Sequence, residues 1–493
     1  MSVIKITKKN DVHLKIDCEP SIAQELHTHF SFDVPGARFH PMYRNKVWDG
    51  KLHLFSLFTK ELYVGLKAYV EHFAEVNQYS VDDSSFNKTA DYITLDDVKL
   101  FCNELKLSTR EKPLEVRDYQ YQAILESIRN GRRLLLSPTG SGKSLIIYVV
   151  MRWHLKNNRK TLIIVPTTSL VEQLYSDFQD YSFFNKWKAS FNCYRIYGTV
   201  EKTNEMPVTI STWQSLYKLP RKFFSEYDVI FGDECHLFKA KSLTNIMNKC
   251  TTSPYRIGTT GTLDDTKTHK LVLEGLFGPV YRTTTTKKLI DSKQLADLKV
   301  YIVMLKYADE VCKANKQFTY QQEMDFLVQH HKRNTFIQNL ALKQKGNSLV
   351  LFQFVEKHGK ILYDMIESKA KNRKVFFVYG GTDAEQRENI RKITEGESNA
   401  IIIASFGTFS TGINIRNLHN IIFASPSKSK IRNLQSIGRG LRIGDQKVKC
   451  NLYDIGDDLT WRSRQNYTLL HMKERIKMYS NEQFDYKFKK VDL

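Results

Sequence analysis

Two series of short apolar segments constrain the fold of this 493-residue chain more than any other feature. Each segment ends in small or polar residues and precedes a stretch with helical periodicity, which is typical of strands buried on both faces of a parallel sheet. The first series occupies residues 133–137, 161–165, 208–211, 228–232 and 256–259. The second occupies residues 348–352, 375–378, 400–404, 421–424 and 451–454. The sequence therefore predicts an α/β fold with two parallel sheets, joined near residues 282–298.

The charge of the chain indicates its class of partner. It has 74 Lys and Arg against 53 Asp and Glu, a formal net charge of +21 at pH 7. Such a surplus favours a polyanion, although a basic surface without a partner is the alternative. The seven cysteines are scattered and never spaced as C-x-x-C, so we expect no disulfide framework, zinc ribbon or iron–sulfur cluster. With no secretory signal and no membrane-spanning run, a cytoplasmic protein without a membrane partner is expected.

A phosphate-binding loop is predicted at residues 137–144, which read Ser-Pro-Thr-Gly-Ser-Gly-Lys-Ser between an apolar strand and an apolar helix. Backbone N–H groups near the glycines and the helix N-terminus would hold phosphate oxygens. We expect Lys143 to contact the β- and γ-phosphates of ATP and the Ser144 hydroxyl to ligate Mg²⁺. The general pattern begins with Gly where this chain has Ser137, but the phosphate nest forms nearer Gly142. The predicted nucleotide-binding residues of this loop are Thr139, Gly140, Ser141, Gly142, Lys143 and Ser144.

A carboxylate pair, Asp233 and Glu234, follows the segment at 228–232 in the order Asp-Glu-Cys-His. Asp233 is expected to hold Mg²⁺ through water, as the acidic residue after such a strand does. Glu234 points elsewhere and could orient and deprotonate the attacking water. Alone, the tetrapeptide could be a surface turn, but its pairing with a phosphate loop favours catalysis.

A row of polar side chains in the second half predicts a contact with an anion. Gln435, Arg439 and Arg442 share one face if residues 435–442 are helical. In a two-sheet ATPase the anion is the γ-phosphate, so Arg439 and Arg442 would be arginine fingers. The competing interpretation is a basic surface helix that binds a nucleic-acid backbone.

Together these motifs resemble those of superfamily 2 helicases of the DExH type, over residues 116–442. The resemblance implies two tandem RecA-like domains, ATP and Mg²⁺ as cofactors, and an adenine-reading motif with Arg117 and Gln120. It implies a motif at Thr260-Gly261-Thr262 that couples hydrolysis to movement. The positions that match the strand-binding motifs are Pro166, Thr167, Thr168, Ser211, Thr212, Gln214, Ser410 and Thr411. Gly412 and Asn414 match nucleotide-contacting positions, although the family often has Asp at the latter.

A closer resemblance covers nearly the whole chain. Residues 32–55 and 481–486 are similar to the front domain and the C-terminal ending of phage recombination and repair helicases of the UvsW kind. The resemblance implies an ATP-dependent helicase or translocase that remodels branched DNA: forks, Holliday junctions, R-loops and D-loops. It also implies branch migration in recombination, repair and replication. The protein would be encoded by a bacteriophage and act in the cytoplasm of the host cell.

The front stretch also suggests DNA binding from its residue types. Its cations Arg38, Arg44, Lys46 and Lys51 interleave with three aromatic residues, Phe39, Tyr43 and Trp48. A DNA-binding surface is expected to combine cations, which bind phosphates, with aromatic rings, which stack on bases. The alternative is that the rings form the core of a small domain and the cations form a solvated face.

These observations predict an α+β DNA-binding domain at 1–107, a first RecA-like domain at 112–285 and a second at 286–493. The expected substrates are branched, duplex and single-stranded DNA, with RNA in R-loops, acted on by a monomer. Three alternatives are an RNA helicase with the same motor, an ATP-gated nucleic-acid sensor, and the motor half of a restriction enzyme.

Overall fold

The structure is a computed structural model that describes residues 2–493 except 85, 87–90, 203–204, 264–266, 413–414, 416 and 443–448. It also leaves out the side chains of residues 239, 267, 268, 384, 410–412 and 431. The chain forms two compact units, Met1–Ser137 with Gly142–Thr283 and Pro138–Ser141 with Thr284–Leu493. Within the described residues, every helix is too short or too polar to cross a bilayer.

The N-terminal domain is a four-stranded sheet in the order β5-β2-β1-β6, with a separate two-stranded hairpin of β3 and β4. Alternate residues of β1 and β2 are buried, as expected when one face of a sheet packs on a core. Its strands are β1 (Val3–Lys8), β2 (His13–Asp17), β3 (Ser31–Asp33), β4 (Lys51–His53), β5 (Glu61–Tyr63) and β6 (Ser80–Asp82). Its helices are α1 (Pro20–His29), α2 (Pro41–Arg44) and α3 (Lys67–Val76).

A linking segment precedes the first of the two RecA-like domains, which we call the first and second motor domains. It contains α4 (Leu95–Glu104) and the short hairpin of β7 (Ser108–Thr109) and β8 (Lys112–Pro113). Helix α4 begins with a capping box between Thr94 and Asp97. Its apolar face, which includes Val98 and Phe101, lies in the same hydrophobic core as Ile124 of the following helix. Helix α4 therefore packs with the motor domain, and the predicted domain boundary at residue 107 stays a prediction.

The first motor domain is a seven-stranded parallel sheet in the order β11-β12-β10-β13-β14-β9-β15. Its strands are β9 (Arg132–Leu136), β10 (Thr161–Val165), β11 (Cys193–Ile196), β12 (Val208–Thr212), β13 (Val229–Asp233), β14 (Tyr255–Thr260) and β15 (Val280–Arg282). Its helices are α5 (Asp118–Asn130), α6 (Lys143–Lys156), α7 (Thr168–Tyr181), α8 (Ala189–Asn192), α9 (Trp213–Leu216), α10 (Arg221–Phe224), α11 (Lys241–Lys249) and α12 (Lys267–Phe277). The predicted motifs follow the carboxyl ends of β9, β10, β12, β13 and β14, where ligands bind in open α/β sheets.

The second motor domain is another seven-stranded parallel sheet, in the order β18-β19-β17-β20-β21-β16-β22. Its strands are β16 (Asp297–Lys306), β17 (Ser348–Phe352), β18 (Val375–Val378), β19 (Ile401–Ser405), β20 (Asn420–Phe423), β21 (Lys449–Asp458) and β22 (Tyr486–Asp492). Its helices are α13 (Thr286–Asp291), α14 (Asp309–Asn315), α15 (Tyr320–Gln329), α16 (His331–Lys343), α17 (Lys360–Glu367), α18 (Ala384–Gly396), α19 (Phe406–Gly412), α20 (Lys430–Gly440) and α21 (Tyr467–Asn481).

The predicted fold class, two RecA-like parallel sheets after a small α+β domain, is confirmed. All ten apolar segments form strands, with ends shifted by a few residues at most in nine of them. The tenth, predicted at 451–454, is part of the longer β21. Four described strands of the two parallel sheets were not predicted: β11, β15, β16 and β22. Three of these are edge strands, whose side chains are less completely covered, so they carry no continuous apolar run.

The N-terminal domain and the first motor domain share one hydrophobic core. Leu66 and Val70 of the N-terminal domain belong to the same buried cluster as Leu276 and Phe277 of α12. At this junction the Tyr69 hydroxyl donates to the buried Glu274 carboxylate at 2.6 Å. Burial and the adjacent carboxylate raise the pKa of Tyr69, which keeps it a neutral donor. The two domains thus form a single packed body.

Gly65 shows how closely the two domains approach each other. A Cβ atom at this position would lie 1.9 Å from the Glu274 carbonyl oxygen. Because backbone cannot give way as a flexible side chain does, Gly65→Ala should reduce the free energy of unfolding by about 3 kcal/mol or more. Chemical denaturation of the full chain measures this loss. Gly396→Ala is the control, because nothing lies within 4 Å of a Cβ there. Equal stabilities for the two variants would contradict the close approach.

Candidate active site and nucleic-acid interface

The phosphate loop connects β9 to α6, as predicted. Gly140 and Gly142 have φ angles of +86° and +82°, a left-handed backbone that an L side chain rarely adopts. Ser137, where the general pattern has Gly, is buried, and its hydroxyl accepts a hydrogen bond from Thr283 at 3.0 Å. Ser141 is held locally by donating to the Pro138 carbonyl at 2.6 Å. The loop can therefore present backbone N–H groups to phosphate oxygens at the N-terminus of α6.

Lys143 and the carboxylate pair meet at one point. The Lys143 ammonium lies 3.3 Å from Glu234 Oε1. Burial alone would lower the pKa of Lys143, but the charges of Glu234 and Asp233 outweigh it and raise that pKa. Burial would likewise raise the pKa of Glu234, but Lys143 and His236 hold it well below its usual value. Glu234 is thus an ionised carboxylate, and Lys143 is a charged partner available to an incoming phosphate.

Asp233 is fixed differently from its neighbour. Burial and the adjacent Glu234 charge raise the pKa of Asp233, while Thr259 donates to its Oδ1 at 2.6 Å. Glu234 has φ +49°, a left-handed backbone that is uncommon for residues other than glycine. This strained turn directs two consecutive carboxylates to different places. Asp233 and Ser144 offer hard oxygen ligands of the kind that Mg²⁺ prefers, so the residues present fit that ion.

His236, which the sequence analysis did not select, links the carboxylate to the Thr260 motif. Its Nδ1 lies 3.3 Å from Glu234 Oε2 and 3.0 Å from Thr260 Oγ1. Thr260 in turn donates to the Thr262 carbonyl at 3.0 Å. A displacement of Glu234 would therefore reach Thr260 and Thr262, in the motif that is predicted to couple hydrolysis to movement. Only the final position of the Asp-Glu-Cys-His tetrapeptide could have indicated His236.

The residues of the adenine-reading motif lie beside the phosphate loop. Gln120 is buried, and its Oε1 accepts from the Arg117 amide at 2.9 Å. A Cβ atom at Gly142 would lie 2.3 Å from Gln120 Nε2, so the Gln120 amide occupies the space beside this glycine. Arg117 donates to the Tyr119 hydroxyl at 2.9 Å. The expected adenine contact of Gln120 stays a prediction, but its position connects that motif to the loop.

The predicted residues of the second motor domain are only partly described. Gln435 and Arg439 lie on α20 and are half-buried. The helix ends at Gly440, so Arg442 lies two residues beyond it. The predicted shared helical face therefore holds for Gln435 and Arg439 but not for Arg442. Glycine is a poor helix former, which accounts for this early end. The side chains of Ser410 and Thr411, the surroundings of Gly412 and the whole of Asn414 lie outside what the structure describes.

Most residues of the motifs predicted to bind a DNA strand in the first motor domain line one groove, which we call the strand groove. Its volume is about 640 Å³, and its lining includes Pro166, Thr167, Thr168, Thr212, Gln214 and Ser215. Gln214 joins the two motifs by donating to the Pro166 carbonyl at 3.3 Å. Lys202 and Lys218, which no motif predicted, add positive charge to the lining. Ser211 is the exception: its side chain is fully buried and donates to the Ile196 carbonyl at 3.0 Å.

The cations and rings of the N-terminal domain lie on the hairpin tip, residues 34–50 between β3 and β4. Arg38, Arg44, Lys46 and Lys51, at its edge, are all exposed. Phe39 and Tyr43 are 64% and 42% exposed, so these two rings do not form the domain core. Trp48 is half-buried, and its Nε1 donates to the Lys51 carbonyl at 2.7 Å. The Arg38 guanidinium lies 4.9 Å from the Phe39 ring centroid.

Tyr181 was also missed by the sequence analysis, and it contacts a predicted Mg²⁺ ligand. Its hydroxyl lies 2.8 Å from Ser144 Oγ. A hydroxyl that ligates a cation must direct its proton elsewhere, and Tyr181 provides the acceptor. It lies at the end of α7, some 37 residues after Ser144, so no local pattern indicates the contact.

Tyr181→Phe should therefore weaken Mg²⁺ binding several-fold, because loss of the acceptor leaves the Ser144 hydroxyl unoriented. Mn²⁺ titration of the ADP-bound protein by electron paramagnetic resonance measures the affinity without turnover. Tyr175→Phe, on the same helix but beside Arg195, is the control. The assignment is wrong if both variants bind Mn²⁺ as tightly as the parent.

Comparisons with known proteins agree with this arrangement. Residues 3–83 match the family described as DNA helicase UvsW, N-terminal. Residues 113–265 match the family described as type III restriction enzyme, res subunit, and residues 331–444 match the helicase conserved C-terminal domain.

Individual proteins extend these matches to the whole chain. The ATP-dependent DNA helicase uvsW of Enterobacteria phage T4 is 35% identical over 509 residues, which cover 99% of this chain and 100% of that protein. The crystal structure of T4 UvsW has a TM-score of 0.53 and 33% identity, and the match covers 99% of each chain. The DNA 3'-5' translocase XPB2 of Sulfurisphaera tokodaii is 25% identical over 68% of this chain and 80% of that protein. The phosphate loop, the carboxylate pair and this full-length similarity together show that the chain belongs to the UvsW family of superfamily 2 ATP-dependent DNA helicases.

Proposed function

We propose that this DNA helicase remodels branched DNA, namely forks, Holliday junctions, R-loops and D-loops, in recombination, repair and replication. The observation that carries the proposal is the hairpin tip, where exposed cations accompany two exposed rings that lie outside the domain core. Such a surface suits the branch point of a DNA arm, because cations bind the phosphates and rings can stack on bases that the branch leaves unpaired. The tip would hold the arm while the motor moves along one strand.

ATP and Mg²⁺ would drive this movement. Lys143 would exchange its contact with Glu234 for the terminal phosphates, leaving Glu234 free to orient and deprotonate water. Asp233 and Ser144 would hold the metal ion. Mg²⁺ supplies charge neutralisation at the phosphates, and Arg439 and Arg442 would stabilise the charge that develops during transfer.

Along the DNA, the strand groove would bind the backbone through Pro166, Thr167, Thr168, Thr212 and Gln214. The nucleic-acid contacts predicted for Ser410 and Thr411, and the nucleotide contacts predicted for Gly412 and Asn414, form part of the same proposal. Backbone contacts carry no sequence information, so translocation should be largely independent of sequence. The same proposal includes a monomer, since one chain contains both motor domains, and a location in the host-cell cytoplasm. RNA would be a substrate within R-loops.

Charge removal at the hairpin tip tests the branched-DNA proposal. The N-terminal domain shares a core with the motor, so substitution is preferable to truncation. Arg38→Gln with Arg44→Gln should flatten the plot of log affinity against log salt for forked DNA by about 0.9 per lost phosphate contact. Fork remodelling should slow, while ATPase stimulated by single strands should be unchanged, because the strand groove is intact.

The charge-conserving pair Arg38→Lys with Arg44→Lys is the matched control and should keep the parental salt slope. Branched-DNA recognition by the tip is contradicted if the glutamine pair remodels forks at the parental rate with an unaltered slope. A parallel assay with RNA duplexes distinguishes a DNA helicase from the alternative, an RNA helicase, which would unwind RNA at least as fast as DNA.

A further inference from the structure

A second groove lies beside the strand groove in the first motor domain. Its volume is about 320 Å³, and its lining residues are Tyr217, Arg221, Ser242, Asn245, Asn248 and Lys249. The strand groove ends at Lys218 and Leu219. Because residues 217–219 are consecutive, the two grooves share this short segment as a common wall.

The second groove has the charge of a phosphate-binding surface. Its described lining combines Arg221 and Lys249 with neutral polar side chains and contains no carboxylate. The Lys249 ammonium donates to the Tyr217 and Leu219 carbonyls at 2.7 Å each, which fixes the common wall. Arg221 is exposed at the start of α10. A positive surface that continues from one groove into the next favours a single polyanion lying across both.

Tyr217 provides the aromatic element between the two grooves. Its side chain is 40% exposed although its backbone is held by Lys249. The Lys218 ammonium lies 5.6 Å from the Tyr217 ring centroid, and the Trp213 ring centroid is 6.2 Å away. An exposed ring on a fixed backbone, with a lysine beside it and an arginine lining the same groove, is the kind of arrangement by which proteins stack an unpaired base and hold the flanking phosphates.

We propose that a single DNA strand continues past the strand groove, stacks one base on Tyr217 and places the next phosphate at Arg221. The occupant is a single strand and not a duplex, because a base within a duplex presents no free face to a ring. This proposal rests on the proposed function, since it extends the path of the strand that the motor moves along.

The test is equilibrium binding of the full-length protein to oligothymidylates of increasing length. Stacking contributes roughly 1–3 kcal/mol per base, so Tyr217→Leu should bind long oligonucleotides about 5- to 150-fold more weakly. Oligonucleotides too short to leave the strand groove should bind both proteins equally. Tyr217→Phe, which keeps the ring, should bind like the parent.

A second variant removes the phosphate contact without touching the ring. Arg221→Gln should flatten the salt dependence of single-strand affinity by about 0.7, and Arg221→Lys should preserve it. Lys99→Gln, an equal charge change on α4, should have no effect. Because Tyr217 and Arg221 are exposed, thermal unfolding of these variants should match that of the parent.

Three results would overturn the inference. If Tyr217→Leu and Arg221→Gln bind all lengths as the parent does while DNA still stimulates the ATPase, this path is wrong but the helicase proposal stands. If both variants lose affinity only for blunt duplex, the second groove holds a duplex backbone instead. If the parent binds no single strand and its ATPase ignores DNA, the proposed function fails together with the path.

Discussion

The shared core of the N-terminal domain and the first motor domain is the packing on which the remaining functional arrangement depends. Leu66 and Val70 pack with Leu276 and Phe277, and Gly65 allows backbone contact at α12. Helix α12 follows the strand that ends in Thr260, so the N-terminal domain packs on the element next to the predicted coupling motif. The hairpin tip and the strand groove therefore belong to one body, and the tip cannot be an independently tethered module.

Electrostatics connect the ATP site to this body. The charges of Lys143 and Glu234 neutralise each other at 3.3 Å, and both side chains are half-buried. A phosphate bound at Lys143 would weaken the attraction between Lys143 and Glu234, whose other oxygen is in contact with His236. His236 contacts Thr260 in turn, so the change at the carboxylate reaches the end of β14. In this account the contacts from Glu234 through His236 to Thr260 connect the nucleotide site to the junction between α12 and the N-terminal domain.

The sequence could predict what depends on local chemistry. Strands buried on both faces must be apolar, so ten were identifiable, and the phosphate loop and carboxylate pair have fixed spacings. It could not predict contacts that exist only after folding, such as Tyr181 with Ser144, which lie 37 residues apart. Three further features were not predictable. The edge strand β22 has a charged sequence and mostly exposed side chains, so it shows no apolar pattern. Ser211 faces the core although its motif predicts a DNA contact, and α20 ends at Gly440, before Arg442.

The most direct test of the account is native-state hydrogen exchange of the full-length protein with and without a non-hydrolysable ATP analogue. If the N-terminal and first motor domains form one cooperative body, the analogue should slow exchange in β1 and β2, which lie in another domain from the phosphate loop. At an analogue concentration of 100 times Kd the stabilisation is about 2.7 kcal/mol, or roughly 100-fold in exchange rate. Slowing confined to the strands of the first motor domain, with β1 and β2 unaffected, would contradict the account.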